Sequence, residues 1–286
     1  MATAPKFSIV TPCFNSANTI RETLQSVASQ SFTDWEHLVV DGGSTDGTLA
    51  ILKEFPRLKV VSEKDEGHYD AMNKGIARCA GDFIVILNAD DCFRPDALAG
   101  VAAALDAHPD WDGLFGDVIY VDGGGREIYR REEAKYDFGV LLYALDNICH
   151  HTLFVRRGVY ERLGGYRHRD FKNAADFEFK LRLGQRGCRI GHLTEYLVNY
   201  RYHSAGQSAD RRITANMAVE GARVRAEYGN PGGWRGNILR VVFKAKRQLQ
   251  KLIIRGKVDL VPGTVKLKSH MMDKAEFSSN AGLDKL

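Results

Sequence analysis

The stretch from Gly81 to Asp91, Gly-Asp-Phe-Ile-Val-Ile-Leu-Asn-Ala-Asp-Asp, constrains this chain more than any other. Phe83 to Leu87 show no alternation of apolar and polar side chains, the pattern of a strand covered on both faces in a parallel sheet. Ligands of such sheets bind just beyond the carboxyl ends of the strands, and Asn88, Asp90 and Asp91 fall at that edge. Their oxygen-bearing side chains are hard ligands of the kind Mg²⁺ or Mn²⁺ takes, and Mg²⁺ is held by one or two carboxylates together with substrate phosphates. An Asn/Asp turn capping the helix after Pro95 accounts for the same residues without a metal.

The chain before this strand repeats one unit. Phe7 to Pro12, Trp35 to Asp41 and Leu58 to Ser62 read as strands, separated by helical patterns at Asn18 to Gln30 and Thr48 to Phe55 and followed by one at Tyr69 to Cys79. Strands alternating with helices imply a parallel, doubly wound α/β sheet. The second half changes texture. Leu114 to Val121 and Arg126 to Arg130 flank Gly123-Gly-Gly125 as a hairpin, Cys149 to Val155 and Tyr196 to Tyr202 read as strands, and 176–187 and 209–228 as helices. Antiparallel elements are therefore expected beside the parallel ones. Gly229 to Gly233 is the clearest linker signal, dividing a domain at 1–228 from an extension at 229–286.

Composition excludes several classes. A chain of 286 residues that is 44% hydrophobic and 27% charged has the make-up of a globular protein, and a net charge of +4 is too small to call for nucleic acid. Five cysteines never spaced Cys-x-x-Cys predict neither a disulfide framework nor a zinc site. No signal-peptide pattern or 18-residue apolar run is present, so a cytoplasmic protein is expected.

The cations concentrate after Arg235. A helical projection from Asn237 to Arg255 gathers Ile238, Val242, Leu249, Leu252 and Ile253 on one face and Arg240, Lys244, Arg247 and Lys251 opposite. Such a helix suits an anionic membrane surface, or a seat on the domain with a solvated basic face.

Two loops join the Asn88–Asp91 edge. Asp41-Gly-Gly-Ser-Thr-Asp-Gly47 puts a carboxylate at the end of the second strand, where Asp41 can accept hydrogen bonds from a base or ribose. A glycine-rich turn with Asp46 capping the next helix is the plainer account. Neither Gly-x-Gly-x-x-Gly nor Gly-Lys-Ser/Thr is present, which excludes a dinucleotide fingerprint and a P-loop. Glu63 to Gly75 forms a polar connection in which Asp70, Asn73 and Lys74 lie near a helix start, where donors can face an anion.

Taken in order, Ser-Ile-Val-Thr-Pro-Cys-Phe-Asn, Val-Asp-Gly-Gly-Ser-Thr-Asp-Gly-Thr, Tyr-Asp-Ala-Met-Asn-Lys-Gly and Leu-Asn-Ala-Asp-Asp resemble the family 2 inverting glycosyltransferases of GT-A fold over about residues 7–205. The branch closest in pattern assembles bacterial exopolysaccharide, colanic-acid-like or lipopolysaccharide chains. The resemblance implies a Rossmann-like, mainly parallel sheet with helices on both faces, to which this chain adds a C-terminal helical tail. It further implies a nucleotide diphosphate sugar donor, UDP-linked, a growing lipid-linked glycan as acceptor, and Mg²⁺ or Mn²⁺ as cofactor.

By the same resemblance Thr11, Pro12, Asn15 and Asp41 would line the nucleotide, with Asp41 on its base, joined by Asp70, Asn73, Lys74, Asn88 and Ala89. Asp90, supported by Asp91, and His203 would hold the metal. Asp176 would be the base that deprotonates the acceptor hydroxyl. His150, His151 and Glu178 would face the acceptor, with Glu178 the fallback base.

The chain departs from the family pattern at four positions. Asn88 replaces the first acid of Asp-x-Asp, Ala175 replaces the Glu before the base, and Gly42 and Met72 stand where an acid and an Arg are common. Two other readings stay open: a sugar nucleotidyltransferase, whose glycine-rich basic N-terminal loop is absent, and a non-catalytic sugar-nucleotide-binding protein, which Asn88 and Ala175 favour. The basic extension adds an anionic membrane surface as a partner, on the inner face of the cell membrane.

Overall fold

A computed structural model describes residues 4–202, 211–255, 258–261 and 264–267 of the chain. The first half follows the repeating unit read above: β1 (Phe7–Cys13), α1 (Ile20–Ala28), β2 (Trp35–Asp41), α2 (Thr48–Leu52), β3 (Leu58–Ser62), α3 (His68–Ile76) and β4 (Phe83–Ile86). β1 pairs in parallel with β2 on one side and β4 on the other, and β3 extends the sheet beyond β2. The register sets Cys13 opposite Asp41 and Val10 opposite Ile86, so these strands end at one edge.

The absence of alternation in β1 and β4 has a direct cause. Val10, Ile84 and Ile86 pack into one core cluster with Met72 of α3, while Ile9, Phe83 and Val85 pack into another on the opposite face. Successive side chains point to opposite faces, and both faces are covered, so every position of β4 is apolar and in β1 the polar Ser8 and Thr11 are buried among apolar neighbours. α3 lies close on its face: a Cβ built on Gly75 would fall 2.3 Å from Val10 Cγ1.

After β4 come β5 (Cys92–Phe93), α4 (Ala97–Ala107), β6 (Gly113–Val121), β7 (Glu127–Arg131), β8 (Phe154–Arg156), α5 (Arg157–Leu163), α6 (Ala175–Gln185) and β9 (Ile190–Arg201). The nine-stranded sheet runs β3-β2-β1-β4-β8-β6-β9-β5, with β7 on β6. β4–β8, β6–β8, β6–β7 and β5–β9 are antiparallel, whereas β6–β9 is parallel. The sheet is thus a mixed one. The β6–β7 hairpin closes through a short turn rather than a crossover helix, which is what an antiparallel pair permits.

Residues 149–153, expected to be extended, instead hold a 3-10 turn at His150–Thr152, and β8 begins only at Phe154. The Thr152 hydroxyl donates to the carbonyls of Cys149 and Gly116, 2.9 Å each. A side chain bonding its local backbone competes with the ladder.

Two helices follow, α7 (Arg211–Glu227) and α8 (Gly233–Ile254), and the backbones of β10 (Val258–Val261) and β11 (Thr264–Leu267) pair antiparallel. α8 sits on a π turn at Val140–Ala144 through Phe243, whose ring centroid is 5.1 Å from that of Tyr143. Lys246 and Gln250 reach Asp137, and Arg247 is buried on Glu133. The expected solvated basic face is therefore corrected at Arg247, which belongs to the docked side. Trp234, Ile238, Val241, Val242, Leu249 and Ile253 are exposed, so the apolar stripe points away from the domain.

Candidate active site

At the carboxyl edge of β1 and β4 lies a cavity of about 690 Å³. Its first wall begins with Pro12 and Asn15. Asn15 takes the left-handed conformation, φ 49°, that asparagine tolerates better than most residues. Its N–H donates to Ser44 Oγ at 2.7 Å and its Oδ1 accepts from the Thr45 N–H at 2.9 Å, tying the β1 loop to the Gly42–Gly47 loop.

Two residues expected on the nucleotide stand behind this wall. Thr11 is fully buried and bonds His37 Nε2 at 2.9 Å. Asp41 is fully buried too, its carboxylate accepting from the Gly43 and Ser44 N–H groups and the Ser62 hydroxyl. Burial works against its charge, but these donors hold its pKa below the ordinary value. Asp41 shapes the loop rather than lining the cavity.

The carboxylate that does line it there is Asp65, for which the sequence offered no signal beyond a polar loop. Gly42 makes room for it: a Cβ at Gly42 would fall 2.5 Å from Asp65 Oδ2. The acid missing at position 42 is thus replaced in space by one from another loop.

Asp70, Asn73 and Lys74 are also corrected. Asn73 Oδ1 accepts from the Tyr166 N–H at 2.8 Å and its Nδ2 donates to Tyr166 O. Asp70 accepts from the Glu66 N–H and pairs with Lys74 at 3.0 Å. All three brace loops outside the cavity, since one turn of α3 cannot face both ways; Gly67, His68, Tyr69 and Ala71 face inward instead.

Asn88, Ala89 and Asp90 line the cavity, Asp90 half-buried. Asn88 Oδ1 is buried without a hydrogen-bond partner, an acceptor aimed where a ligand can supply a donor or cation. Asp91 differs from its neighbour. It is 1% exposed, accepting from the Arg201 N–H at 2.8 Å and pairing with His151 Nδ1 at 2.6 Å. Burial pushes its carboxyl up. Arg201, which sequence reasoning missed, also donates from Nε to Asp90 O at 3.1 Å, so the end of β9 anchors the whole turn. His203 lies outside the described residues.

His151 borders the same cavity and is held by that contact with Asp91. Only 1% exposed, it sits beneath Asp91 and stacks on Tyr200. Its neighbour His150 also borders the cavity, with Nδ1 3.5 Å from Asp176 Oδ2.

Asp176 stands on the opposite wall, in the first turn of α6. It is not needed as a cap. Glu220 of α7 reaches the N–H groups of Asn173 and Ala174 at 2.7 and 3.1 Å, a carboxylate at a helix N-terminus where the dipole favours it. Tyr69 donates to Asp176 Oδ1 at 2.5 Å and Lys180 Nζ to Oδ2 at 2.9 Å. Burial opposes the charge on Asp176, yet the Lys180 ammonium, His150 and the Tyr69 hydroxyl hold its pKa well below the carboxylate range. Burial also drives His150 well below its ordinary value, so that ring is neutral.

Glu178 is excluded from the acceptor side. It is fully buried, bonded by Tyr228 Oη at 2.6 Å and Arg182 at 2.9 Å. Two residues beyond Asp176 on a helix, it faces away from the cavity. The wall is completed by Arg131, Asp146 and Lys180, none of them foreseen.

A profile described as Glycosyl transferase family 2 matches residues 8–164. The chain is 39% identical over 185 residues to a PGL/p-HBAD biosynthesis glycosyltransferase of Mycobacterium bovis, covering 63% of this chain and 70% of the relative. It superposes on S. aureus TarS 1–349, solved in complex with UDP, with a TM-score of 0.61 and 21% identity over 94% of this chain and 98% of that one. A mannosyltransferase from Pyrobaculum calidifontis, solved with GDP-Man and Mn²⁺, gives a TM-score of 0.57 at 18% identity over 100% of this chain and 82% of that one. The two structural likenesses speak to the fold.

Proposed function

The chain belongs to glycosyl transferase family 2, and from that membership we propose that it moves a sugar from a UDP-linked donor to a hydroxyl of a growing lipid-linked glycan, with inversion. The observation that carries this reading is that Asp90 and Asp176 line one and the same cavity. TarS with UDP supports the choice of nucleotide. Pro12, Asn15 and Asp65 would receive the nucleoside, Asp65 taking the part first expected of Asp41.

A divalent ion fits the donor set. Among the described residues no group of three or more His, Cys, Asp or Glu is arranged to hold a metal alone, but Mg²⁺ or Mn²⁺ is commonly held by one carboxylate and the donor's phosphate oxygens. Asp90 would be that carboxylate, Asp91 its buried support and Asn88 Oδ1 a nearby acceptor. When bound, such an ion stabilises the negative charge that grows on the departing diphosphate.

The chain's own residues do the rest. The acceptor oxygen attacks the anomeric carbon on the face opposite the diphosphate; the new C–O bond forms as the bond to the phosphate oxygen breaks, and the electron pair leaves with the diphosphate. The hydroxyl proton passes to Asp176, which Lys180 keeps ionised and Tyr69 keeps aimed. His150, neutral beside it, can accept a hydrogen bond from the acceptor sugar.

The outward stripe of α8 supports action at the cytoplasmic face of an anionic membrane. No acid occurs from 228 to 258, while seven Lys or Arg side chains lie between Arg235 and Arg255. An exposed Trp, Ile, Val and Leu face beside such a cationic run is the make-up of an interfacial helix. Among the described residues no helix is long and apolar enough to cross a membrane.

A donor screen tests the catalytic reading: the protein is incubated with Mn²⁺, nucleotide sugars and lipid-linked glycan extract, and nucleoside diphosphate release is followed. Wild type should turn over one donor while Asp176→Asn falls by about 10²–10⁴-fold. An Asp176→Asn variant with unaltered turnover refutes the base, and release of inorganic diphosphate indicates nucleotidyl transfer instead. For the membrane seat, Ile238→Asp/Val242→Asp should abolish cosedimentation with phosphatidylglycerol vesicles; undiminished binding refutes it.

A further inference from the structure

Behind the cavity wall that carries Asp176 runs a chain of alternating charges that ends on α8. Glu133, 2% exposed, is its hub. Arg247 of α8 grips the carboxylate with Nε at 3.0 Å from Oε2 and one terminal nitrogen at 2.8 and 2.9 Å from the two oxygens. On its other side Glu133 accepts from Arg131 Nε at 2.8 Å and from Asn147 Nδ2 at 3.2 Å. Arg131 in turn donates to Asp146 O at 3.0 Å. The segment Asp146–Ile148 is therefore pinned twice from the same carboxylate.

That segment holds the ammonium beside Asp176. Lys180 Nζ is 2.5 Å from Asp146 Oδ2, 3.0 Å from Ile148 O and 2.9 Å from Asp176 Oδ2. It has three donors and three acceptors, so its position follows theirs. The same segment leads into His150.

We propose that Arg247 is a positioning residue for Asp176, so that the seating of α8 is part of the catalytic apparatus. The inference rests on Asp176 being the base, and deepens that reading by assigning it a distant support. The physical reason lies in the charge sequence. Glu133 lies between Arg247 and Arg131, Asp146 between Arg131 and Lys180, and Asp176 closes the row on Lys180; Glu133 is buried. Removing one partner from a buried pair leaves the other uncompensated. Without Arg247 the Glu133 carboxylate has, among the described residues, only Arg131 as a cation, and drawing Arg131 closer takes its donor from Asp146 O. Lys180 and Asp176 then lose their fixed separation, and small misplacements at a reacting group are costly in rate.

Lys246 supplies the control. It also ties α8 to the domain, through Asp137 Oδ2 at 2.5 Å, but Asp137 has no bond to the 146–148 segment among those described. Steady-state kinetics of donor turnover, measured without vesicles, should show kcat about tenfold lower in Arg247→Met with the donor KM unchanged. Arg247→Lys should recover most of the loss, and Lys246→Met should leave kcat at the wild-type value.

A folded Arg247→Met variant with wild-type kcat overturns the proposal, as does an equal fall in Lys246→Met, which would mark general loosening of α8. If Arg247→Met has no cooperative melting transition, the double variant Glu133→Gln/Arg247→Met, which removes both charges of that pair together and leaves Arg131 its bond to Asp146 O, takes its place. Its kcat should fall likewise, and an unchanged value overturns the proposal. Asp176→Asn run alongside separates the two readings. An active Asp176→Asn sinks the base itself, whereas an inactive one beside an unaffected Arg247→Met sinks the positioning role alone.

Discussion

The two walls of the cavity are made of different material. The wall from the parallel half is built on strand ends and turns, Pro12, Asn15, Gly67 and Ala89, with the rings of Phe14, His68 and Tyr69 and the carboxylates of Asp65 and Asp90 among them. The wall from the mixed half is a set of interlocked charges, Arg131, Asp146, Asp176 and Lys180, each pinned by another. A backbone wall is shaped by strand ends and turns, so it tolerates side-chain change wherever the turn survives. A wall of charges fails when one member is removed. The first suits a nucleotide recognised by shape and phosphate; the second suits a proton transfer that needs fixed geometry.

The sharpest way to break this contrast is at Asp90, a charge on the backbone wall. Asp90→Ala should lower kcat about 10³-fold, the several kcal/mol of charge stabilisation a bound ion contributes. Isothermal titration should also show that Mn²⁺ no longer tightens UDP binding. Retained Mn²⁺ dependence would place the ion elsewhere.

Lys180→Met attacks the other wall and should cost about tenfold in kcat at neutral pH. Its pH profile carries more information. Asp176 is held low in the wild type, so it stays ionised and the rate is flat through mildly acid pH. Without the ammonium burial prevails and its pKa rises, so a falling acid limb should enter the measurable range. A flat profile in Lys180→Met would dissociate Lys180 from the base.

Gly75→Ala tests the backbone wall from behind. The added Cβ meets Val10 Cγ1 at 2.3 Å, and overpacking of this kind costs about 1–3 kcal/mol. Chemical denaturation should show the loss while donor KM changes little. A variant as stable as wild type would mean that α3 is not held tightly on β1.

The smallest effect is expected at His37, 1% exposed beneath Thr11, whose pKa burial lowers from 6.5 to about 3. The folded protein keeps this ring neutral where the unfolded chain protonates it. Its contribution to stability is therefore present above about pH 6.5 and is lost as pH falls from there towards 3, by up to about 1.4 kcal/mol per unit. His37→Gln, measured by urea denaturation between pH 7 and 5, should flatten part of that slope; an unchanged slope assigns the acid sensitivity to other groups.

The same contrast explains what could be read from the residues alone. β4 was legible because burial on both faces writes an apolar run, and β3 as a short stretch left partly exposed at the sheet edge; Asp90 and Asp176 were expected from short motifs, and both line the cavity. Asp41 was misplaced since a carboxylate at a strand end looks identical whether it faces a ligand or its own loop. Glu133 and Arg247 pair across 114 positions, and such a pairing leaves no local trace. Lys180 was the exception. Four residues after Asp176 on a helix, it stood where an ion pair forms. The amphipathic stripe of α8 was equally plain, but a helical projection cannot say which side meets the domain; that was decided by Glu133, over 100 residues away.

One consequence follows from the change of strand direction at β4. Pro12, Asn15, Asp65 and Asp90 come no later than Asp91, while Glu133, Asp146, Asp176, Lys180 and Arg247 all follow it in the chain, with Arg201 reaching back to hold the Asp90–Asp91 turn. The gene is thereby divided at a single seam, and descendants can diversify what they decorate by altering the later portion without disturbing the earlier one. α8 must be inherited with that later portion, because its arginine and the glutamate it grips lie on the same side of the seam.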